Sequence, residues 1–234
     1  MLRALLVLAF WGIAAVPVGL IGIPWTLLSR KVDLLYRMGV RVGWIGVRLG
    51  GVKVAVVGLE KLDWHRPYIF MCNHVSNLDP PIVIPVMPRR TSVLVKKELF
   101  RVPILGWGMR LTSLVPVDRT NREAAIASLR FAGEVLGSGV NMTIWPEGTR
   151  SPDGRLLPFK RGPFYLAMET RVPIVPITLA GTHEIWPKGE FAIHPGTATV
   201  IFHEPIDPAG YASQEHLMNA VRERIRSGLP EKYQ

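Results

Sequence analysis

Near its start the chain carries "ALLVLAFWGIAAVPVGLIGIPWTLLS", Ala4 to Ser29, a run of 26 residues without a charged side chain. Such a segment must be covered by protein or by lipid, because a bilayer core takes about 20 apolar residues as helix. Three arrangements fit it: a cleaved secretory signal, a single membrane span, or a helix pair lying in the membrane interface and broken near Pro17 to Pro24. Arg3 supplies the basic start of a signal, but the apolar part runs on past both prolines to Trp25 and Arg30-Lys31, longer than a signal's usual core. Arg30, Lys31, Arg37, Arg41 and Arg48 follow the run and would hold the rest of the chain in the cytoplasm. Within "YRMGVRVGWIGVRLGG", Arg37, Arg41 and Arg48 share one helical face while Val40, Trp44 and Val47 line another, a pattern suited to a helix at headgroup level. Residues 1–50 are expected to anchor the protein to a cytoplasmic (inner) membrane, with the remainder on the cytoplasmic side.

The net charge of +10 admits three classes of partner: nucleic acid, an anionic membrane surface or a phosphorylated substrate. No zinc-finger spacing, RNP-like aromatic stretch or long block of like charge is present, so nucleic acid is not expected as a partner. Cys72 is the single cysteine, which removes any internal disulfide framework, and in "YIFMC" it is expected as a small buried side chain. His183, His194 and His203 do not fall at coordinating spacing, and no metal site is expected.

After the apolar segment, short β-branched and aromatic runs alternate with helical patterns. Strands are expected from Val52, Tyr68, Ser92, Ser113, Val140, Val172 and Thr197, several of them apolar throughout, as in a sheet covered on both faces. Pro173 and Pro176 mark the sixth as an edge strand or a bulged one. Between Arg119 and Gly139, Thr120 and Glu123 suggest a capping box. Near the C-terminus Ser213 and Glu215 open a helix that closes on Arg224 and Arg226, the order its dipole favours. Residues 51–234 therefore read as one α/β domain with a mostly parallel sheet flanked by helices.

Three of these strands end in polar turns. In "IFMCNHVSNLDPP", His74 sits in a strand-to-helix turn with Asp79 five residues on, and an imidazole held by a carboxylate can accept a proton through its free nitrogen. Asp79 also reads as the N-cap of a helix starting at Pro80. Ser76 lacks the Gly-x-Ser-x-Gly elbow of a hydrolase nucleophile. In "IWPEGTRSPDGRLLPFKRG", Gly148 lets backbone approach a ligand and Arg150 can grip a phosphate with two parallel bonds. In "LVPVDRTNREAA", Arg119 points from a third strand end. Taken singly, each has a structural reading: a capping aspartate, a solvated turn, a surface arginine. Together they place a base, carboxylates and arginines at the carboxyl ends of one sheet, where open α/β folds bind ligands.

The same stretches resemble the glycerophospholipid acyltransferases. "NHVSNLD" is similar to their Asn-His-x4-Asp signature, and "WPEGTRS" to their Phe-Pro-Glu-Gly-Thr-Arg-Ser block with Trp145 in place of Phe. "KKELFRVPILGWGMR" with "VPVDR" resembles the middle block and "VPIVPI" the fourth, in the family's order. The bacterial 1-acylglycerol-3-phosphate acyltransferases look most similar. The resemblance implies that His74 is the general base and Asp79 its orienting partner, acting on a lysophosphatidic acid hydroxyl and an acyl thioester of acyl carrier protein or coenzyme A, with no other cofactor. It further implies that Arg119 and Arg150 hold the acceptor phosphate and that Glu147 and Gly148 position the glycerol part. Thr149 and Ser151 would join the same site, and Lys96 and Lys97 would add positive field or meet the donor. The acyl chains would lie in an apolar groove, with Phe100 and Trp107 as candidate lining. Another acceptor (glycerol 3-phosphate, a different lysophospholipid, a lyso-ornithine-type lipid) and a non-catalytic protein binding anionic lipid are the alternatives.

Overall fold

The computed structural model describes residues 1–118 and 121–234 and, of Arg122, the backbone only. The apolar run forms a 28-residue helix, Leu2–Ser29. It comprises α1 (Leu2–Pro17), a π-helical stretch (Val18–Gly22) and α2 (Ile23–Ser29). No break occurs between Pro17 and Pro24, so of the three arrangements the one with a break there is not found. Each proline removes a hydrogen bond from the helical ladder, and the wider π turn between them takes up the offset, so the helix passes through. The chain instead reverses at Arg30, in left-handed conformation at φ 55°, and returns as α3 (Asp33–Leu49), packed against α1, the π turn and α2.

Among the described residues seven strands follow: β1 (Val52–Val57), β2 (Ile69–Cys72), β3 (Thr91–Lys96), β4 (Val115–Val117), β5 (Asn141–Ile144), β6 (Ile174–Ala180) and β7 (Gly196–Phe202). They form one sheet in the order β1-β7-β6-β2-β5-β3-β4, every neighbouring pair parallel except β6–β7. The interleaved helices are α4 (Asp79–Val86), α5 (Leu105–Leu111), α6 (Arg122–Gly137), α7 (Gly162–Thr170), α8 (Thr182–Ile185) and α9 (Gln214–Ser227). Strand alternation sorts side chains into two cores. Phe70 and Cys72 join Val175, Ile177 and Phe202 beneath the N-terminal helices and α4. Ile69 and Met71 join Met142, Ile144 and Ile174 beneath α6, α7 and α9. Both faces are thus covered, which is why the strands read as unbroken apolar runs.

Three local expectations differ from the structure. β6 lies inside the sheet, and Pro176 falls just beyond the last β6–β7 pair, Ile177–Phe202, where its carbonyl still accepts from the His203 amide at 3.0 Å and only the N–H half of the contact is missing. The N-cap of α6 is Asn121, whose side chain accepts from the Ala124 amide; Thr120 lies outside the described residues. Asp79 is the first residue of α4 and caps nothing in it. A cap accepts from the second or third amide of its helix, and there Pro80 and Pro81 have none to offer.

The helix pair closes over glycine. Trp11 Nε1 donates to the Val42 carbonyl at 3.2 Å, and the indole lies where a Cβ on Gly46 would stand. Gly46→Val should therefore force the indole out of its seat and cost about 1–3 kcal/mol by overpacking. Thermal unfolding in detergent checks this: an unchanged midpoint would mean that the two helices do not hold each other.

Candidate active site

β2 ends at Cys72, and the next six residues carry the chain to α4 as a tight turn. Asn73 is buried and clamps this turn to β6, its Nδ2 donating to the Leu179 carbonyl at 2.9 Å and its Oδ1 accepting from the Leu179 amide at 2.7 Å. Asp79, freed from capping, turns back into it: Oδ2 accepts from His74 Nδ1 at 2.7 Å, from the Val75 amide at 2.7 Å and from the Ser76 amide at 2.8 Å. A carboxylate oxygen facing Nδ1 favours the proton there, so in the neutral ring the second nitrogen, Nε2, carries the lone pair. Nε2 bonds to no described residue, and the side chain keeps 18% of its surface exposed. The ring rests against Trp145, centroids 5.1 Å apart.

The turn after β5 holds the same histidine by its backbone. Glu147 Oε1 accepts from the His74 amide at 2.7 Å, and the Ser151 amide donates to the His74 carbonyl at 2.7 Å. Gly148, at φ 72°, takes the left-handed conformation this turn needs. Glu147 Oε2 accepts from the Leu157 amide at 2.9 Å. Arg222, from α9, donates to the Leu157 and Leu156 carbonyls at 2.7 and 3.1 Å and stacks over Phe159. Burial pushes the Glu147 carboxyl up to about 7, against the amides of Leu157 and His74, which pull it down; the Asp79 charge adds to the rise and Arg222 opposes it.

The expected site residues thus separate. His74, Asp79, Glu147 and Ser151 meet in one cluster, in which both Glu147 oxygens accept backbone amides and the buried Ser151 hydroxyl donates to Asp153 Oδ1 at 2.9 Å. Thr149 is exposed and Arg150 half-exposed on the rim of the same turn, where Lys188 Nζ donates to the Arg150 carbonyl at 2.9 Å. Lys96 and Lys97 leave the end of β3, two strands from β2; Lys96 is exposed beside Glu98, and Lys97 pairs with Asp118. Arg119 lies outside the described residues. Lys97, Phe100, Arg101, Arg110, Leu114 and Phe131 line a cavity of about 620 Å³ near β4 and α6. Trp107 points to solvent and is not part of it. Two positioning residues were not assigned from sequence. Asn73 was visible as a polar residue closing an apolar strand, whereas Arg222 gave no signal because its partners are backbone carbonyls of a distant loop.

Comparison with known proteins places this geometry. A family model for the acyltransferases matches residues 53–180. A 1-acyl-sn-glycerol-3-phosphate acyltransferase of Limnanthes alba is 37% identical over 199 residues, covering 83% of this chain and 69% of that protein. One from Cocos nucifera is 34% identical, covering 91% and 68%. The crystal structure of PlsC, the 1-acyl-sn-glycerophosphate acyltransferase of Thermotoga maritima, superposes with a TM-score of 0.81 at 32% identity, covering 96% of this chain and 93% of that one.

The raised Glu147 value has a measurable sign. Between its ordinary value near 4.5 and about 7 the folded protein binds more protons than the unfolded chain, so this group's stabilisation is full at low pH and is lost as pH rises through about 7. Over that interval wild type should lose up to about 3 kcal/mol that Glu147→Gln does not. Denaturant unfolding at stepped pH reads the difference in slope; parallel curves would show that Glu147 titrates as an ordinary carboxyl.

Proposed function

The chain belongs to the acyltransferase family, and from that premise we propose that it transfers an acyl chain from a thioester of acyl carrier protein or coenzyme A to the sn-2 hydroxyl of 1-acyl-sn-glycerol 3-phosphate, forming phosphatidic acid. The carrying observation is the 2.7 Å bond from His74 Nδ1 to Asp79 Oδ2, which leaves Nε2 unprotonated at the partly open side of the ring. Nε2 takes the proton of the acceptor hydroxyl as its oxygen attacks the thioester carbonyl carbon. The tetrahedral intermediate then expels the thiolate, which recovers the proton from the imidazolium, so the enzyme ends as it began. Asp79 stabilises the transient imidazolium, and no covalent enzyme intermediate is needed. Arg150, with Arg119, serves the acceptor phosphate by bidentate bonding. The cavity beneath Phe100, Leu114 and Phe131 suits an acyl chain, with Lys97, Arg101 and Arg110 at its charged margin. The scheme uses no cofactor beyond the thioester co-substrate.

Membrane association accounts for the N-terminal helices, and the patterning of α1 and α2 supports it. Ala4, Val7, Gly19, Gly22 and Thr26 face the protein, while Leu2, Leu6, Ile13, Leu20 and Leu28 are exposed. Because α1 reaches the core through Ala4 and Val7 and the π turn reaches the loop before α5 through Gly19, the helix lies along the α/β domain. We read the pair as lying in the interface of the cytoplasmic membrane, the catalytic domain on the side of Arg30, Lys31, Arg37 and Arg41.

Acyl transfer from labelled acyl carrier protein and acyl-coenzyme A to lysophosphatidic acid, glycerol 3-phosphate and lysophosphatidylcholine tests the reading. Lysophosphatidic acid should be the preferred acceptor, and His74→Ala should lower turnover by at least about 10²–10⁴-fold while its thermal midpoint holds. Undiminished transfer by His74→Ala would remove the histidine from the chemistry, and preference for another acceptor would overturn the substrate assignment.

A further inference from the structure

Between β3 and β4 the chain exposes Leu99, Val102, Leu105 and Trp107 at 44, 43, 45 and 58%. Outside α1–α3, no other described segment of this length turns as many large apolar side chains outward. Scattered exposed leucines need no explanation, but a cluster this dense marks a contact surface. On α5, Gly106 and Met109 face inward while Leu105 and Trp107 flank Gly108 on the outer side, where nothing stands over the glycine.

The cluster is joined to the N-terminal helix by a strained residue. Ile104 has φ 62°, a conformation that penalises a β-branched side chain. Its Cγ2 fills the space where a Cβ on Gly19 would stand, within the π turn, and α5 packs beside α2. The exposed side chains before β4 therefore adjoin those of Leu20, Ile21 and Trp25. The charge is one-sided as well: across residues 96–110, Lys96, Lys97, Arg101 and Arg110 face Glu98 as the single acidic residue.

We propose that Leu99–Trp107 is a second lipid-contacting element, continuous with the N-terminal helix, that enters the headgroup–acyl boundary of an anionic bilayer. The inference rests on the membrane association proposed above. Continuity with the apolar helix favours lipid over an acidic carrier protein: basic flanks would suit either, but the Leu and Trp side chains between them need hydrocarbon. The strain at Ile104 is the local cost of keying the two elements into one surface, so that the mouth between β3, β4 and α6 opens beside the lipid.

Vesicles of phosphatidylglycerol brominated near the headgroup end of the acyl chains test the contact directly. The fluorescence difference between wild type and Trp107→Phe, both full-length, should be quenched on binding. Val102→Glu/Leu105→Glu should raise the apparent KM for vesicle-borne lysophosphatidic acid by about tenfold or more, while turnover on a short-chain, monomeric lysophosphatidic acid in solution stays near wild type. An unquenched difference, or an equal loss on both forms of acceptor, overturns the proposal; so does a rise in KM confined to acyl carrier protein, which would assign the surface to the donor. If wild type binds and is quenched yet acylates no acceptor, the substrate assignment falls and the lipid contact stands.

Discussion

Two buried carboxylates fix the backbone of one turn, and the geometry of the candidate site follows from them. Asp79 accepts the amides of Val75 and Ser76 together with the His74 ring, and Glu147 accepts the His74 amide. At 2.7–2.8 Å each of these bonds is short for an N–H donor, so each sets a position rather than only favouring it. With the Ser151 amide on its carbonyl, His74 is held at N–H, C=O and Nδ1, which leaves Nε2 as the one part of the residue free to meet a substrate. The prolines at 80 and 81 make this possible. A helix whose second and third amides are missing needs no cap, so the aspartate at its start can serve the preceding turn.

The hold on His74 extends to the far end of the chain. Glu147 is fixed by the Leu157 amide, and the Leu156–Phe159 segment is fixed by Arg222 of α9. The parallel sheet makes so long a connection economical in structure, because it gathers the carboxyl ends of β2 and β5 side by side, Met71 paired with Ile144. Burying Glu147 in this link raises its proton affinity, a strain the fold tolerates because both oxygens are satisfied.

The strands and the main helices were legible because each follows a pattern read over many residues, as in "VNMTIW" for β5 and Ser213 capping α9. His74 and Asp79 were legible because their partnership spans five residues. What escaped were contacts between distant segments. Glu147 looked like a substrate ligand beside Gly148 and Arg150, and only the fold shows its carboxylate turned inward to bond two backbone amides. Pro176 looked like an edge marker, and only the sheet order shows β7 ending where the missing N–H would matter. Arg222 bonds carbonyls, which carry no sequence signature at all. Local chemistry can be read from a string of residues, whereas pairings brought about by chain closure cannot.

The N-terminal segment shows the same limit from the other side. Its length and lack of charge announced a hydrophobic environment without saying which face needed it. In a water-soluble amphipathic helix the large apolar residues turn inward and the polar ones outward. Here small residues make the close contacts: Ala4, Val7, Gly19 and Gly22 lie against the protein, while Leu2, Leu6, Ile13, Leu20, Trp25 and Leu28 point away. Small residues permit close backbone approach, as Gly19 does for Ile104 and Gly46 for Trp11, and this is how helices pack where the surroundings are as apolar as the side chains. The excess hydrophobicity of the chain is therefore not a larger core. It is an outer surface, and at about 25 cal/mol per Å² its exposure to water would oppose the marginal stability of the folded state. Under the proposed membrane association, lipid would remove that penalty and hold the His74 turn beside the interface.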